Sequence, residues 1–367
     1  MINLAYIYPY SRCFAPYLRH IEHFKLFNVV AAVTPGKWAK DKCDAGYIDS
    51  GEEIGIPLST DFDFWLSKCD TIIWANYEYY ENYDFFEAVL LRIKKAMSVG
   101  KNIVCFEELS SEDESDLRKI AEANNVMFVY KHGDSDLDNC ANISDKSNVP
   151  IISILSMAEN CLKFDAELSF YRMLCDKGYK VALVSSKNNA ELLGIHSFPS
   201  FMFSRHYSEM EKINLFSNYV KSITFYQRPD VIIIGIPGGM IPFNKIHDMH
   251  YGITAYEVLS IIKPDYTLVN VWMDYLSKTI IDDLVNICRY RYGIKMNAIG
   301  VSNTSIYNDH STINRIHQEY NVYNLHSVDE AIASAEKVYR GGAKLYNIMK
   351  KTSMEKLVND AIETLSE

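Results

Sequence analysis

The 367-residue chain has no Cys-x-x-Cys spacing, no apolar run approaching 18 residues, no G-x-G-x-x-G fingerprint and no surplus of basic charge. Each absence excludes something. Eight cysteines scattered at 13, 43, 69, 105, 140, 161, 175 and 288 argue against a zinc ribbon and read as reduced thiols. Without a long apolar stretch no transmembrane helix is expected. The opening MINLAYIYPYSRCF lacks the basic segment and apolar core of a signal peptide, so a cytoplasmic protein is expected. Lys+Arg number 37 against 47 Asp+Glu, a net charge of −10, which argues against nucleic acid or an anionic membrane as the main partner. What is present is an ordinary folded composition, 48% hydrophobic and 23% charged, long enough for two domains. The 26 tyrosines are compatible with a peptide-binding surface and equally with compositional drift.

Along the first 135 residues, short apolar runs alternate with helical periodicity. Strands are expected at INLAYIY (2–8), NVVAAV (28–33), TIIW (71–74), NIVCF (102–106) and VMFVY (126–130), with helices at 17–27, 84–99 and 111–124. The last of these helices opens on the capping pattern Ser111-Glu112-Asp113-Glu114. Single helices between short strands imply right-handed crossovers and a parallel sheet covered on both faces, a Rossmann-like domain. The polar stretch KHGDSDLDNCANISDKSN supplies an interdomain linker at 136–149. Residues 150–352 restart with the strand PIISIL and continue through helix–strand pairs: strands at 179–185, 230–235, 266–271 and 296–301, and helices at 165–177, 208–226, 255–262 and 280–292. Tyr320–Leu325 and a helix at 328–340 are expected to complete the sheet. Residues 353–367 read as an amphipathic helix docked on the surface or on a partner. The fold class is therefore α/β, with two doubly wound domains.

The most informative stretch is PIISILSMAENCLKFDAELSFYRMLCDKGYKVALVSS. Strand, polar loop, lysine, helix and second strand form the layout of a phosphate-binding loop. Aligning Lys163 with the phosphate-reaching lysine puts Met157 and Leu162 at the two glycines and Phe164 at the magnesium-holding Ser/Thr. Phenylalanine cannot ligate Mg²⁺, and neither Met nor Leu is expected to supply a glycine's positive φ. A second strand, Asp230-Val-Ile-Ile-Ile-Gly235, runs into Ile-Pro-Gly238-Gly239, and no acid stands between Val231 and Lys245 to orient a metal. A glycine-rich turn after a strand is also explained by loop geometry alone. Candidate anion-binding residues are Ser156, Asn160, Cys161, Lys163, Gly235, Gly238 and Gly239, with no metal expected. Cys161, near a helix N-terminus, is the candidate reactive thiol, against the plainer reading of a buried structural one.

These stretches, together with Gly252–Glu257, Lys263–Asp265 and Gly293–Thr304, resemble a degenerate SIMIBI-class P-loop NTPase domain, the group that includes dethiobiotin synthetase. The two-domain layout resembles proteins with a Rossmann-like N-terminal half and a P-loop C-terminal half, one branch of which resembles an amino-acid acyltransferase. As a whole the chain looks like a clostridial-type family of peptide-maturation proteins associated with radical-SAM enzymes and bacteriocin-like precursors. That resemblance implies a biological process rather than a reaction.

In the first half, Tyr8-Pro9-Tyr10-Ser11-Arg12 offers no pyrophosphate loop, but Ser11 and Arg12 stand at a strand's carboxyl end, where open α/β sheets bind ligands. Glu107 and Glu108 at another strand end are an acid/base pair or, more simply, solvated caps. His20/His23 and His247/His250 repeat an i, i+3 spacing without a third ligand, Asp248 being the one candidate addition. Two functions compete. One is a non-hydrolysing accessory protein that binds a precursor peptide or a radical-SAM maturation enzyme. The other is a small-molecule transferase or ligase using a nucleotide or acyl-coenzyme A in the interdomain cleft. Self-association into a homo-oligomer is compatible with both.

Overall fold

A computed structural model describes residues 4–24, 27–36, 43–77, 83–131, 149–241, 252–306 and 320–366. The linker expected at 136–149 lies outside the described residues apart from Val149, as do His247, Asp248 and His250. The chain divides into two compact units, Met1–His132 with Leu192–Gly194, and Gly133–Glu191 with Ile195–Glu367.

The first unit runs β1 (Leu4–Tyr8), α1 (Ala15–Phe24), β2 (Asn28–Val33), β3 (Leu58–Ser59), α2 (Phe62–Lys68), β4 (Thr71–Trp74), α3 (Tyr83–Ser98), β5 (Asn102–Cys105), α4 (Ser111–Asn124) and β6 (Phe128–Tyr130). Its strands pair in parallel in the order β3-β2-β1-β4-β5-β6. Winding therefore reverses between β1 and β4, which makes the carboxyl ends of those strands a topological switch point. All four residues of β4 are buried, because parallel crossovers cover both faces of a central strand. Tyr6, Ile72, Trp74, Ile93 and Met97 belong to this unit's own core. The cap of α4 is Ser110, one residue before the expected Ser111. Its Oγ accepts the Asp113 N–H at 3.1 Å, and Glu112, Asp113 and Glu114 then fall in the first turn, where carboxylates suit the helix dipole. Neither β3 nor α2 is visible in the hydrophobic pattern, β3 having two residues and α2 seven.

The second unit contains β7 (Ile151–Ser156), α5 (Lys163–Asp176), β8 (Val181–Val184), α6 (Glu209–Gln227), β9 (Val231–Gly235), α7 (Ile253–Ile261), β10 (Tyr266–Val271), α8 (Lys278–Asn286), β11 (Ala298–Val301), β12 (Thr304–Ile306), β13 (Tyr320–Val322), α9 (Leu325–Val338), β14 (Lys344–Asn347) and α10 (Lys351–Ser366). A six-stranded parallel sheet has the order β14-β11-β10-β7-β9-β8. Tyr320–Leu325 does not complete this sheet as expected. Its strand portion pairs antiparallel with β12 in a separate ribbon, and its half-exposed residues suit a ribbon rather than a covered sheet. The sixth place goes to β14, whose Leu345, Tyr346 and Asn347 are buried. Helix α10 turns Met354, Leu357, Val358 and Ala361 inward, a stripe at helical spacing, and packs on α5, β10 and β14 of its own unit. Among the described residues no helix is long and apolar enough to cross a membrane.

Candidate anion-binding site

β7 and β9 are hydrogen-bonded neighbours, so the loops leaving their carboxyl ends face each other. Between them lies Lys163, the first residue of α5. Only 8% of it is exposed, and its Nζ donates to the Gly238 carbonyl at 3.0 Å and to Ser156 Oγ at 3.4 Å. Burial lowers the pKa of the ammonium, while the nearby carboxylates of Glu159 and Glu167 act in the opposite direction. The lysine stays in its socket because carbonyl and hydroxyl oxygens replace part of its lost hydration.

The backbone of the 157–162 loop departs from expectation. Leu162, at the second glycine position, is left-handed at φ 53°, ψ 36°, and Asn160 has φ 54°. Cys161 between them does not have a positive φ. Leucine therefore does hold the turn reserved for glycine, at a cost of about 1–2 kcal/mol. Alternating backbone handedness just before a helix turns successive N–H groups toward one point, the geometry of an anion-binding nest. The first turn of α5 has no side-chain cap from Leu162. Met157 is buried, and the loop is held close against the glycine turn. A Cβ on Gly239 would stand 2.7 Å from Ala158 Cα and 2.9 Å from the Met157 carbonyl oxygen. Gly238 has φ 81°, a third left-handed position. Both glycines are therefore required by close backbone approach and handedness together.

Beneath the lysine, one helical turn along α5, Glu167 is fully buried. Its Oε2 accepts from Ser185 Oγ at 2.9 Å and from the Ser186 N–H at 3.0 Å. Its Oε1 has no hydrogen-bond partner among the described residues. Burial raises its pKa, partly opposed by Ser186 and Lys163. The carboxylate occupies the space a Cβ on Gly235 would need, 2.1 Å from Oε1. Gly235 thus serves to seat Glu167, a role the sequence did not indicate. Asn270, fully buried in β10, donates Nδ2 to the Cys161 carbonyl at 3.0 Å, and Thr304 Oγ1 donates to the Asn160 carbonyl at 2.6 Å. These two bonds fix the carbonyls of the left-handed segment. Glu167 could have been found from its i, i+4 spacing to Lys163, and Asn270 as the lone amide in the apolar run YTLVNV. Thr304 carried no signal.

Ser156, Asn160, Cys161, Lys163, Gly235, Gly238 and Gly239 are therefore brought together. Cys161 is not a reactive thiol. It is 1% exposed, and burial pushes its pKa well above the ordinary range, outweighing the helix terminus. The residues present do not fit magnesium. The Ser/Thr position is the 5% exposed Phe164, and β9 and the turn through Met240 carry no acid. Among the described residues no group of three His, Cys, Asp or Glu side chains could hold a metal ion. A groove of about 800 Å³ lies elsewhere in this unit, lined by residues of α9, β14 and α10. Its main charges pair internally, Lys344 with Asp360 at 2.7 Å and Lys350 with Asp329 at 2.8 Å.

In the first unit, Ser11 and Arg12 are half-buried and Glu108 is exposed, but Glu107 is 5% exposed. The reading of Glu107 as a solvated cap is therefore incorrect, because the end of β5 carries its carboxyl inside the unit. Burial lifts its pKa from 4.5 to about 7, against hydrogen bonds from the Glu108 and Tyr77 backbones that lower it.

No protein-family model matches the chain, and no curated protein matches it. Among solved structures, a DUF1611 family protein from Anabaena variabilis is similar with a TM-score of 0.62 at 11% identity, over 98% of this chain and 99% of that one. Cobyrinic acid a,c-diamide synthase from Mycobacterium smegmatis, with bound ADP and magnesium, has a TM-score of 0.37 at 10% identity, over 59% of this chain and 96% of its own. The hydrogenase maturation factor HypB from Archaeoglobus fulgidus has a TM-score of 0.31 at 13% identity, over 59% and 90% respectively. At these identities the first likeness is one of fold alone, and the TM-scores of the other two are too low to carry an inference. The chain is an α/β protein of two parallel six-stranded sheets, and its second unit carries the strand–loop–lysine–helix layout of a P-loop NTPase-like fold.

Proposed function

We propose that the protein is a non-hydrolysing accessory protein in the maturation of ribosomally made peptides, working in the cytoplasm and binding a precursor peptide or its modifying enzyme. The observation that carries the non-hydrolysing part is the chemistry around Lys163. The ammonium is bound to Gly238 and Ser156, while the neighbouring metal position is Phe164. Phosphoryl transfer to water needs a divalent ion and a group to orient the attacking water. The peptide-maturation setting is supported by the resemblance of the whole chain, and an accessory role suits a domain that keeps a nucleotide-cradling frame without its metal grip.

Purified protein with magnesium and ATP or GTP is expected to show no turnover above buffer, and Lys163→Ala no change from it. Sustained magnesium-dependent hydrolysis that Lys163→Ala abolishes would overturn the reading. A fluorescent precursor-type peptide is expected to bind measurably, and failure of both peptide and modifying enzyme to bind would remove the accessory role.

A second reading is favoured by the left-handed backbone at Asn160 and Leu162, which bonds from Asn270 and Thr304 hold in place ahead of the helix that Lys163 opens. In that reading the nest and Lys163 hold a phosphate of a nucleotide or coenzyme A for a transfer reaction. ATP, GTP and acetyl-coenzyme A would then stabilise the fold by RT ln(1 + [L]/Kd), about 2.7 kcal/mol at a hundredfold excess. A thermal-shift screen with no response to any of the three rejects it.

A further inference from the structure

The six-stranded sheet of the second unit has two end strands, and they are finished differently. At one end β8 is continued by the segment through His196, whose N–H donates to the Leu183 carbonyl at 3.0 Å and whose carbonyl accepts the Ser185 N–H at 2.8 Å. At the other end stands β14, with no strand beyond it among the described residues. Successive residues of a parallel strand turn their N–H and C=O groups to opposite sides. The Ile348 N–H donates to the Val301 carbonyl at 3.3 Å, so Tyr346 and Lys344 also face β11, while Leu345 and Asn347 face away from it. Asn347 is already engaged, its N–H with Ser353 Oγ at 3.0 Å and its carbonyl with the Lys350 N–H at 3.3 Å. The Ala343 backbone bonds to the Tyr339 hydroxyl. Leu345 is left with an outward N–H and C=O that have no partner among the described residues. Leu345 lines the groove of about 800 Å³ that α9, β14 and α10 enclose.

The groove is cationic. Four basic side chains and three carboxylates line it, and Lys344 and Lys350 are paired with Asp360 and Asp329. Arg340 donates only to the Glu336 backbone carbonyl at 2.7 Å, and Lys356 has no ion pair or hydrogen bond among the described residues. Against these two cations stands the Glu336 carboxylate alone, in a chain whose net charge is −10. A lysine on an edge strand usually guards it against stray pairing. Lys344 is drawn to α10 instead, where Asp360 holds its ammonium at 2.7 Å.

We propose that β14 takes an extended acidic peptide as a seventh strand of this sheet. Leu345 exchanges N–H···O=C bonds with the added backbone, and Lys356 and Arg340 meet the peptide's carboxylates. A basic segment would face both as like charges. The four residues of β14 span about 13 Å, so the recognised stretch is about four residues long. The site rests on the peptide-binding reading for its partner and uses nothing of the Lys163 loop.

Fluorescein-labelled hexapeptides alternating valine with glutamate, or valine with lysine, test it by anisotropy at low salt, with hydrogen exchange followed at the Leu345 amide. The glutamate peptide is expected to bind and to slow exchange at Leu345. Its affinity should fall about tenfold on Lys356→Glu but not on Lys180→Glu, the same charge reversal at an exposed residue before β8, at the far edge of the sheet. The lysine peptide should bind more weakly, and the glutamate peptide N-methylated throughout should not bind. Arg340→Glu supplies a second reversal should Lys356→Glu fail to fold. Binding without slowed exchange at Leu345, or with equal losses from Lys356→Glu and Lys180→Glu, would overturn the site and leave peptide binding to another surface. No binding of the glutamate peptide, or equal binding of the lysine peptide, would also overturn it, and the accessory role would survive if a precursor-type peptide still bound. Slow exchange at Leu345 in the free protein, together with a dimer in sedimentation, would put a second copy on this edge and refute the proposal.

Discussion

Replacing Glu107 by glutamine is expected to stabilise the first unit at pH 8 and to change it little at pH 5. The side chain is 5% exposed, so its electrostatics are barely screened by solvent. Burial raises its pKa from 4.5 to about 7, with the Glu108 carboxylate adding slightly in the same direction. Folded protein therefore holds the proton to a higher pH than unfolded chain does. The stability linked to this group is fully present below about pH 4.5, falls as the pH climbs, and is lost above about pH 7. A difference of this size is worth about 3 kcal/mol. Glutamine imitates the protonated carboxyl at every pH, so wild type and variant should differ by less than about 1 kcal/mol at pH 5 and by roughly 3 kcal/mol in favour of the variant at pH 8. Comparing the two proteins at each pH cancels groups that they share, including Cys105, Glu108, Glu114 and Tyr130 around the same strand ends. Urea titrations read by hydrogen exchange in the β4 and β5 peptides measure this unit directly. An equal offset at the two pH values, or a variant less stable at both, would refute the reasoning.

Three other perturbations follow from the second unit. Gly235→Ala should destabilise it by about 3 kcal/mol, because the new methyl displaces a buried carboxylate, and Glu167→Ala in the same chain should recover part of the loss in thermal melts. Asn160 is exposed but left-handed, so Asn160→Val should cost about 1–2 kcal/mol and Asn160→Gly nothing measurable in urea unfolding; equal effects would show that the backbone is not the cause. Cys161 should resist iodoacetamide in native protein at pH 8 and alkylate only on unfolding, its pKa being raised by burial. Labelling at the rate of an exposed thiol would contradict the burial assigned to it.

Reading the chain without coordinates succeeded where the physics is local. The runs NVVAAV, TIIW and YTLVNV are strands with the expected bounds, since parallel strands beneath helices read as near-continuous apolar runs. That a phenylalanine at position 164 cannot ligate a metal was equally legible, because side-chain chemistry is a property of the residue itself. The backbone of Leu162 was not. Propensity disfavours leucine at positive φ, but bonds from Asn270 and Thr304, distant in sequence, hold the adjoining carbonyls and over-determine the loop. The same limit hid the role of Gly235, whose missing Cβ matters only because Glu167 arrives from another element. It also hid the burial of Glu107. Sequence determined the long apolar strands, the lysine and the phenylalanine that follows it; tertiary structure decided which strand takes the sheet edge, which groups are desolvated and which turns are forced, because these depend on neighbours that no local window contains.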